Sequence, residues 1–172
     1  MLRTKLLTDI RSDISRSKER HVRHYHSKKP DAIPLWVATE ALSFGIISRM
    51  YGLLQDDGVR DAIAAIFGYD SGLNSAQFAT NLRAIVVFRN VCAHHSRIWN
   101  RQIRQDVPKI FKGLIEHGML AENYRNTPWG VIAVLTHMVQ YVRRDDSFQQ
   151  GLNQLVPRSG PYWTGFITPS HK

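Results

Sequence analysis

The stretch from Leu35 to Leu54, LWVATEALSFGIISRMYGLL, is apolar on almost every side when wound at helical pitch. That is too long for an ordinary strand, and a helix apolar all round has to be covered by other elements. The rest of the chain must therefore supply partners for a central buried helix. Glu40 is the conspicuous charge within it. No uninterrupted apolar run approaches the roughly 20 residues needed to span a bilayer, so no membrane role is expected.

The covering elements are legible by their periodicity. In residues 3–27, Leu7, Ile10, Ile14, Val22 and Tyr25 recur at helical spacing, which predicts one long amphipathic helix with its stripe thinnest near Ser17. The two prolines of SKKPDAIP, Ser27 to Pro34, end it. A short helix over about 57–67 follows, with Asp57 as cap and Gly68 as stop, and YDSGLN reads as a turn. Ser75 then caps a long helix running to about Asn100, with Phe78, Leu82, Ile85, Val86 and Cys92 on its apolar face.

Pro108 restarts the pattern as KIFKGLIEHGML. Thr127 followed by Pro128 opens a helix over Trp129 to Val142, and a last one covers about 146–156. The tail 157–172, PRSGPYWTGFITPSHK, holds three prolines and is expected to run extended, packing through Tyr162, Trp163 and Phe166. These elements predict an all-α bundle of about six helices with an irregular C-terminal tail. We expect a single domain over 1–172, in which 1–33 form a basic helix and loop.

Composition narrows the function classes. With 172 residues, 43% hydrophobic and 22% charged, the chain is neither disordered nor fibrous and can bury a core. Asp9 and Asp13 interrupt any signal-peptide core, and the single cysteine, Cys92, excludes an internal disulfide framework and a cysteine zinc site. A reducing cytoplasm is the expected location. The formal charge of +9 is uneven: residues 1–30 carry +6, 31–88 carry −3, 89–112 carry +5 and 113–172 carry +1. Two clustered basic segments attract polyanions, a description that nucleic acid, anionic lipid and acidic protein all meet.

Chemistry is concentrated in Asn81 to Arg104, NLRAIVVFRNVCAHHSRIWNRQIR. On the predicted helix Asn90, His94, Arg97 and Arg101 stand at spacings of four, three and four, sharing one polar face on which Asn90 reaches His94. Arg89 lies five residues before His94, about 140° around the axis, so one straight helix aims the two apart. A second copy of the helix solves that. Cys92 and His95 are expected to turn toward the core. Glu40 either pairs with Arg89 or His94 or forms an ordinary buried salt bridge. His21, His24 and His26 stand among Arg20, Arg23, Lys28 and Lys29, which suits a solvated basic helix better than a metal site. Trp36, Trp99, Trp129 and Trp163 read as core or interface anchors, with stacking on a base as the other role open to Trp99.

The string RNVCAHHSRIWNR, Arg89 to Arg101, resembles the signature of the Abi-like abortive-infection proteins of bacteria (AbiD/AbiF type), members of the wider HEPN superfamily. PLWVATEALSFGIISRMY, Pro34 to Tyr51, resembles the family's preceding helix, and YWTGF, Tyr162 to Phe166, its C-terminal end. Nuclease members carry Arg, four to six residues and His, which Arg89 and His94 fit, with Asn90 following the Arg as in the family. Family members usually have a further N-terminal region before the helix that begins here near Leu2, so a fragment or shortened form is expected. Ser96 stands where one HEPN toxin group has Tyr, and that group's partner chemistry is not carried over.

The resemblance implies a HEPN-like fold and a metal-independent endoribonuclease of phage defence or of a toxin–antitoxin-like system, needing no cofactor. It implies a homodimer that brings two Arg/His sets into one basic cleft, RNA as substrate, and an antitoxin protein or RNA as a further partner. His94 is then the acid/base, Arg89 the phosphate binder, and Asn90 orients one or the other. Arg97, Asn100 and Arg101 hold flanking substrate groups, and Glu40 and His95 stand behind them. The alternative is a noncatalytic HEPN-type module that binds RNA or a partner protein.

Overall fold

The structure, a computed structural model, describes residues 2–29, 32–69, 74–109, 114 and 122–169. Among these every regular element is a helix, so the all-α class is observed. The chain divides into two compact units, residues 1–54 and 55–172.

The first unit contains α1 (Leu2–Arg16), α2 (Arg20–Lys28), α3 (Leu35–Ala41) and α4 (Phe44–Leu53). Its core gathers Leu6, Leu42 and Ile46, flanked by Ile10, Ile14, Met50 and Leu53. Two expected long helices are each broken in two. The helix expected over 3–27 stops at Arg16, where the Ser17 hydroxyl accepts the Glu19 amide and offers the backbone a local alternative to the helix. The helix expected over 35–54 breaks at Leu42 and Ser43, because the Ser43 amide donates to Asp13 Oδ2 at 2.9 Å instead of continuing the helical ladder. That bond, helped by Arg16 at 2.6 Å, holds the Asp13 carboxyl below the ordinary carboxylate range. A second pair, Arg49 to Asp9 at 2.7 Å, ties α4 to α1.

The second unit contains α5 (Asp57–Ile66), α6 (Ser75–Ala93), α7 (Pro128–Arg143), α8 (Ser147–Leu155) and α9 (Gly160–Ile167), with a 3-10 turn at Glu122–Asn126. Asp56, one residue earlier than expected, caps α5 through the Val59 amide at 3.0 Å. Gly68 ends the segment at φ +84, where a Cβ would strike His137 and Tyr141 at 2.7 Å. The centre is α7, started as expected by Thr127 and Pro128, whose Trp129, Val131, Ala133, Val134 and Met138 are buried. Phe78, Ala84 and Ile85 of α6 join that core.

The tail departs from the extended form expected for it. Gly160–Ile167 is helical, with Pro161 in its first turn where the missing amide costs nothing. Trp163 packs edge-on against Trp129 at 4.7 Å, Arg158 lies over the Trp129 ring at 5.4 Å, and Phe166 is buried. The helix expected over KIFKGLIEHGML falls mostly outside the described residues; Leu114, within it, is fully buried. The described residues hold nine α-helices rather than about six, chiefly because of the two breaks and the tail.

Candidate functional site

α6 carries the site, and its two ends are built differently. Asn74 caps its start, one residue before the expected Ser75: its Oδ1 accepts the Gln77 amide at 2.8 Å and the Gln77 side chain accepts the Asn74 amide at 3.1 Å. Two turns on, Asn81 is fully buried. Its Nδ2 donates to Tyr69 Oη at 2.7 Å and to the Lys109 carbonyl at 3.0 Å, and its Oδ1 accepts the Lys109 amide. Burial pushes the Tyr69 phenol well above its ordinary value and so keeps it neutral.

The C-terminal end corrects the expected geometry. The helix does not run to Asn100 but ends at Ala93, with His94 as its C-cap at φ −90 and ψ 17. His95 adopts the left-handed conformation at φ 53. Its amide bonds the Cys92 carbonyl at 3.0 Å, and the Ser96 amide bonds the Val91 carbonyl at 3.1 Å. This is a Schellman stop, with a histidine where glycine is usual. The single helical face through Asn90, His94, Arg97 and Arg101 therefore does not exist.

Instead Arg89 and Asn90 project from the last turns, His94 and His95 from the stop, and Arg97 and Arg101 from the following segment; all six are exposed. Arg89 Nη1 donates to Asn90 Oδ1 at 3.2 Å, so the Asn90 side chain addresses Arg89 rather than the expected His94. Cys92 and His95, expected to face the core, are exposed too, Cys92 in the last turn of the helix and His95 beyond its end. Glu40 belongs to the first unit, where it is exposed and meets His21 Nε2 at 2.8 Å, so the buried salt bridge is not observed.

The segment after the stop is fastened by one side-chain bond and two backbone bonds. Trp99 Nε1 donates to the Tyr162 carbonyl at 2.9 Å, the Asn100 amide to the Gly165 carbonyl at 2.9 Å and the Ile103 amide to the Asn126 carbonyl at 2.9 Å. Asn100 is half-buried at φ 57, in a tight turn. Gly165 faces the Trp99 indole so closely that a Cβ would meet Nε1 at 2.1 Å. The one acid in this region, Asp106, lies 3.5 Å from Arg83. Arg89, Arg97, Arg101 and Arg104 have no carboxylate partner among the described residues, so their positive charge faces solvent uncompensated. Such an array meets the needs of phosphate binding. Among the described residues no group of three His, Cys, Asp or Glu side chains is placed to hold a metal ion, and no helix is long and apolar enough to cross a membrane.

Sequence reasoning missed the Schellman stop, the Asn81 clamp and the place of Gly165. A glycine after Cys92 would have announced the first; His95 gives no such signal. Comparison with curated proteins and with solved structures gave no match. A family model described as Abi-like protein matches residues 2–100, more than half the chain, and takes in Arg89, Asn90 and His94. The chain belongs to the Abi-like protein family, and with it to the abortive-infection proteins of phage defence.

Proposed function

We propose that this protein is the RNA-cleaving effector of such a defence, acting without metal. One observation carries the reading: Arg89 and His94 stand exposed at one helix end within a segment of net charge +5, their cationic neighbours unpaired by carboxylate among the described residues.

RNA brings its own nucleophile. Attack of the 2′-oxygen forms a new P–O bond, the P–O5′ bond breaks, and the products are a 2′,3′-cyclic phosphate and a 5′-hydroxyl. One group must take the 2′-hydroxyl proton and one must protonate the departing 5′-oxygen. Histidine, with an unperturbed pKa of about 6.5, suits either transfer near neutrality. Arg89 offers a planar guanidinium to two phosphoryl oxygens as charge builds on them. Arg97 and Arg101 hold neighbouring phosphates. A homodimer supplies a second His94, so that one histidine acts as base and the other as acid.

The test is product chemistry: purified protein, RNA and EDTA, with end-group analysis. The expected result is cleavage that persists without metal and leaves cyclic phosphate ends. Intact RNA bound with a steep salt dependence would favour the noncatalytic RNA-binding module instead.

A further inference from the structure

Within the second unit, α6 and the segment 101–105 enclose a pocket of about 230 Å³. Ala84, Val87, Phe88 and Val91 make an apolar floor, and Arg101 and Arg104 stand among its lining residues. Ala84, Phe88 and Val91 follow at intervals of four and three and so share one face of α6. No acidic residue lines the pocket. Arg104 Nε bonds Gln102 Oε1 at 3.0 Å, which orients that guanidinium. The wall opposite the helix is pinned at Asn100, Ile103 and Lys109 by the bonds described above, so the cavity is preformed.

We propose that this pocket holds one nucleotide unit, its base against the Phe88 and Val91 floor and its phosphate against Arg101 and Arg104. The volume lies below the roughly 300–1,000 Å³ of drug-sized sites and suits a single ring system. Two guanidinium groups with no carboxylate partner select an anion-bearing ligand over an apolar protein side chain, and the apolar floor selects a ring over bare phosphate. The proposal deepens the RNA reading, on which it rests: Arg101 becomes part of a site that contacts a base, beside the residues assigned to cleavage. The ligand is either a free nucleotide or one unit of a strand.

The experiment uses the full chain carrying His94→Ala, to prevent turnover. Three probes are titrated: uridine monophosphate, a uridine oligonucleotide, and a sugar-phosphate oligomer of the same length without bases. The oligonucleotide is expected to bind at least about tenfold tighter than the baseless oligomer, as stacking-type base contacts do. Val87→Trp, which fills the cavity, should erase that preference and leave the salt dependence of binding unchanged. Val91→Phe, a smaller filler, repeats the test if circular dichroism shows that Val87→Trp is unfolded. Uridine monophosphate binding as tightly as the oligonucleotide assigns the pocket to the free nucleotide, and weaker binding assigns it to the strand; both support the proposal.

Equal affinity for the two oligomers, or a preference that survives both fillers, overturns it. So does a filler that turns a dimer into a monomer while the preference persists, since the pocket then seats a second copy. A base preference in a parent protein that leaves RNA intact sinks the nuclease reading alone. Cleavage without base preference sinks the pocket alone.

Discussion

The two ends of α6 differ in what their polar residues are for. At the start, Asn74, Gln77 and Asn81 spend their hydrogen-bonding capacity on the chain itself, and Asn81 does so in full burial. At the end, Arg89, His94 and His95 face solvent, and the backbone alone closes the helix through Cys92 and Val91 carbonyls. A side chain that caps or clamps cannot also meet a substrate. Closing the helix with main-chain bonds leaves the terminal side chains available for chemistry.

The contrast is broken most severely at His94. His94→Ala should lower RNA cleavage by about 10²–10⁴-fold, the usual worth of a proton-transfer group, while the thermal midpoint stays within a degree or two of the parent. Cleavage at the parent rate with unchanged circular dichroism removes His94 from the mechanism. Arg89→Lys should fail to restore activity, since an ammonium cannot hold two oxygens in a fixed plane, whereas Arg11→Lys and Arg16→Lys on α1 should be nearly silent. Single-turnover cleavage and salt-dependent RNA affinity separate them; equal mild losses in all three would place Arg89 in a general basic surface.

At the other end the effects fall on stability. Asn81→Ala leaves the Lys109 amide and carbonyl without their buried partner and should cost about 2–3 kcal/mol, read from the urea midpoint. Asn74→Ala should cost about 1 kcal/mol as a lost cap. The smallest effect has the opposite sign. His95→Gly relieves a left-handed residue at φ 53 and should raise stability by up to about 1 kcal/mol, with cleavage retained if His95 has no chemical part. A destabilised His95→Gly variant would mean that the imidazole makes a contact worth more than the backbone strain.

What the sequence announced and what it concealed divide along the range of the interactions. Thr127 and Pro128 sit next to the amides they affect, so the start of α7 is written locally. Asp13 breaks the apolar run from thirty residues away, by taking the Ser43 amide, and nothing near Ser43 reveals it. The site residues were legible as a string because their types and order are distinctive. Their arrangement was not, because a helix stop made by histidine lacks the glycine that usually marks one. His95 was misplaced for that same reason, since periodicity assigns a face only while the helix continues, whereas Cys92 is still helical and stands exposed in the last turn.

The bond from Trp99 to the Tyr162 carbonyl joins residues 63 apart in the chain. During synthesis at about 5–20 residues per second, roughly 3–13 s separate the two from emerging at the ribosome. Throughout that interval the segment carrying Arg97 and Arg101 lacks its fastening to α9. Nascent chains arrested before Tyr162 should be cut by protease near residues 96–105 and resist once Gly165 has cleared the exit tunnel. That segment would then reach its final form only after residues 162–165 have followed it out of the ribosome.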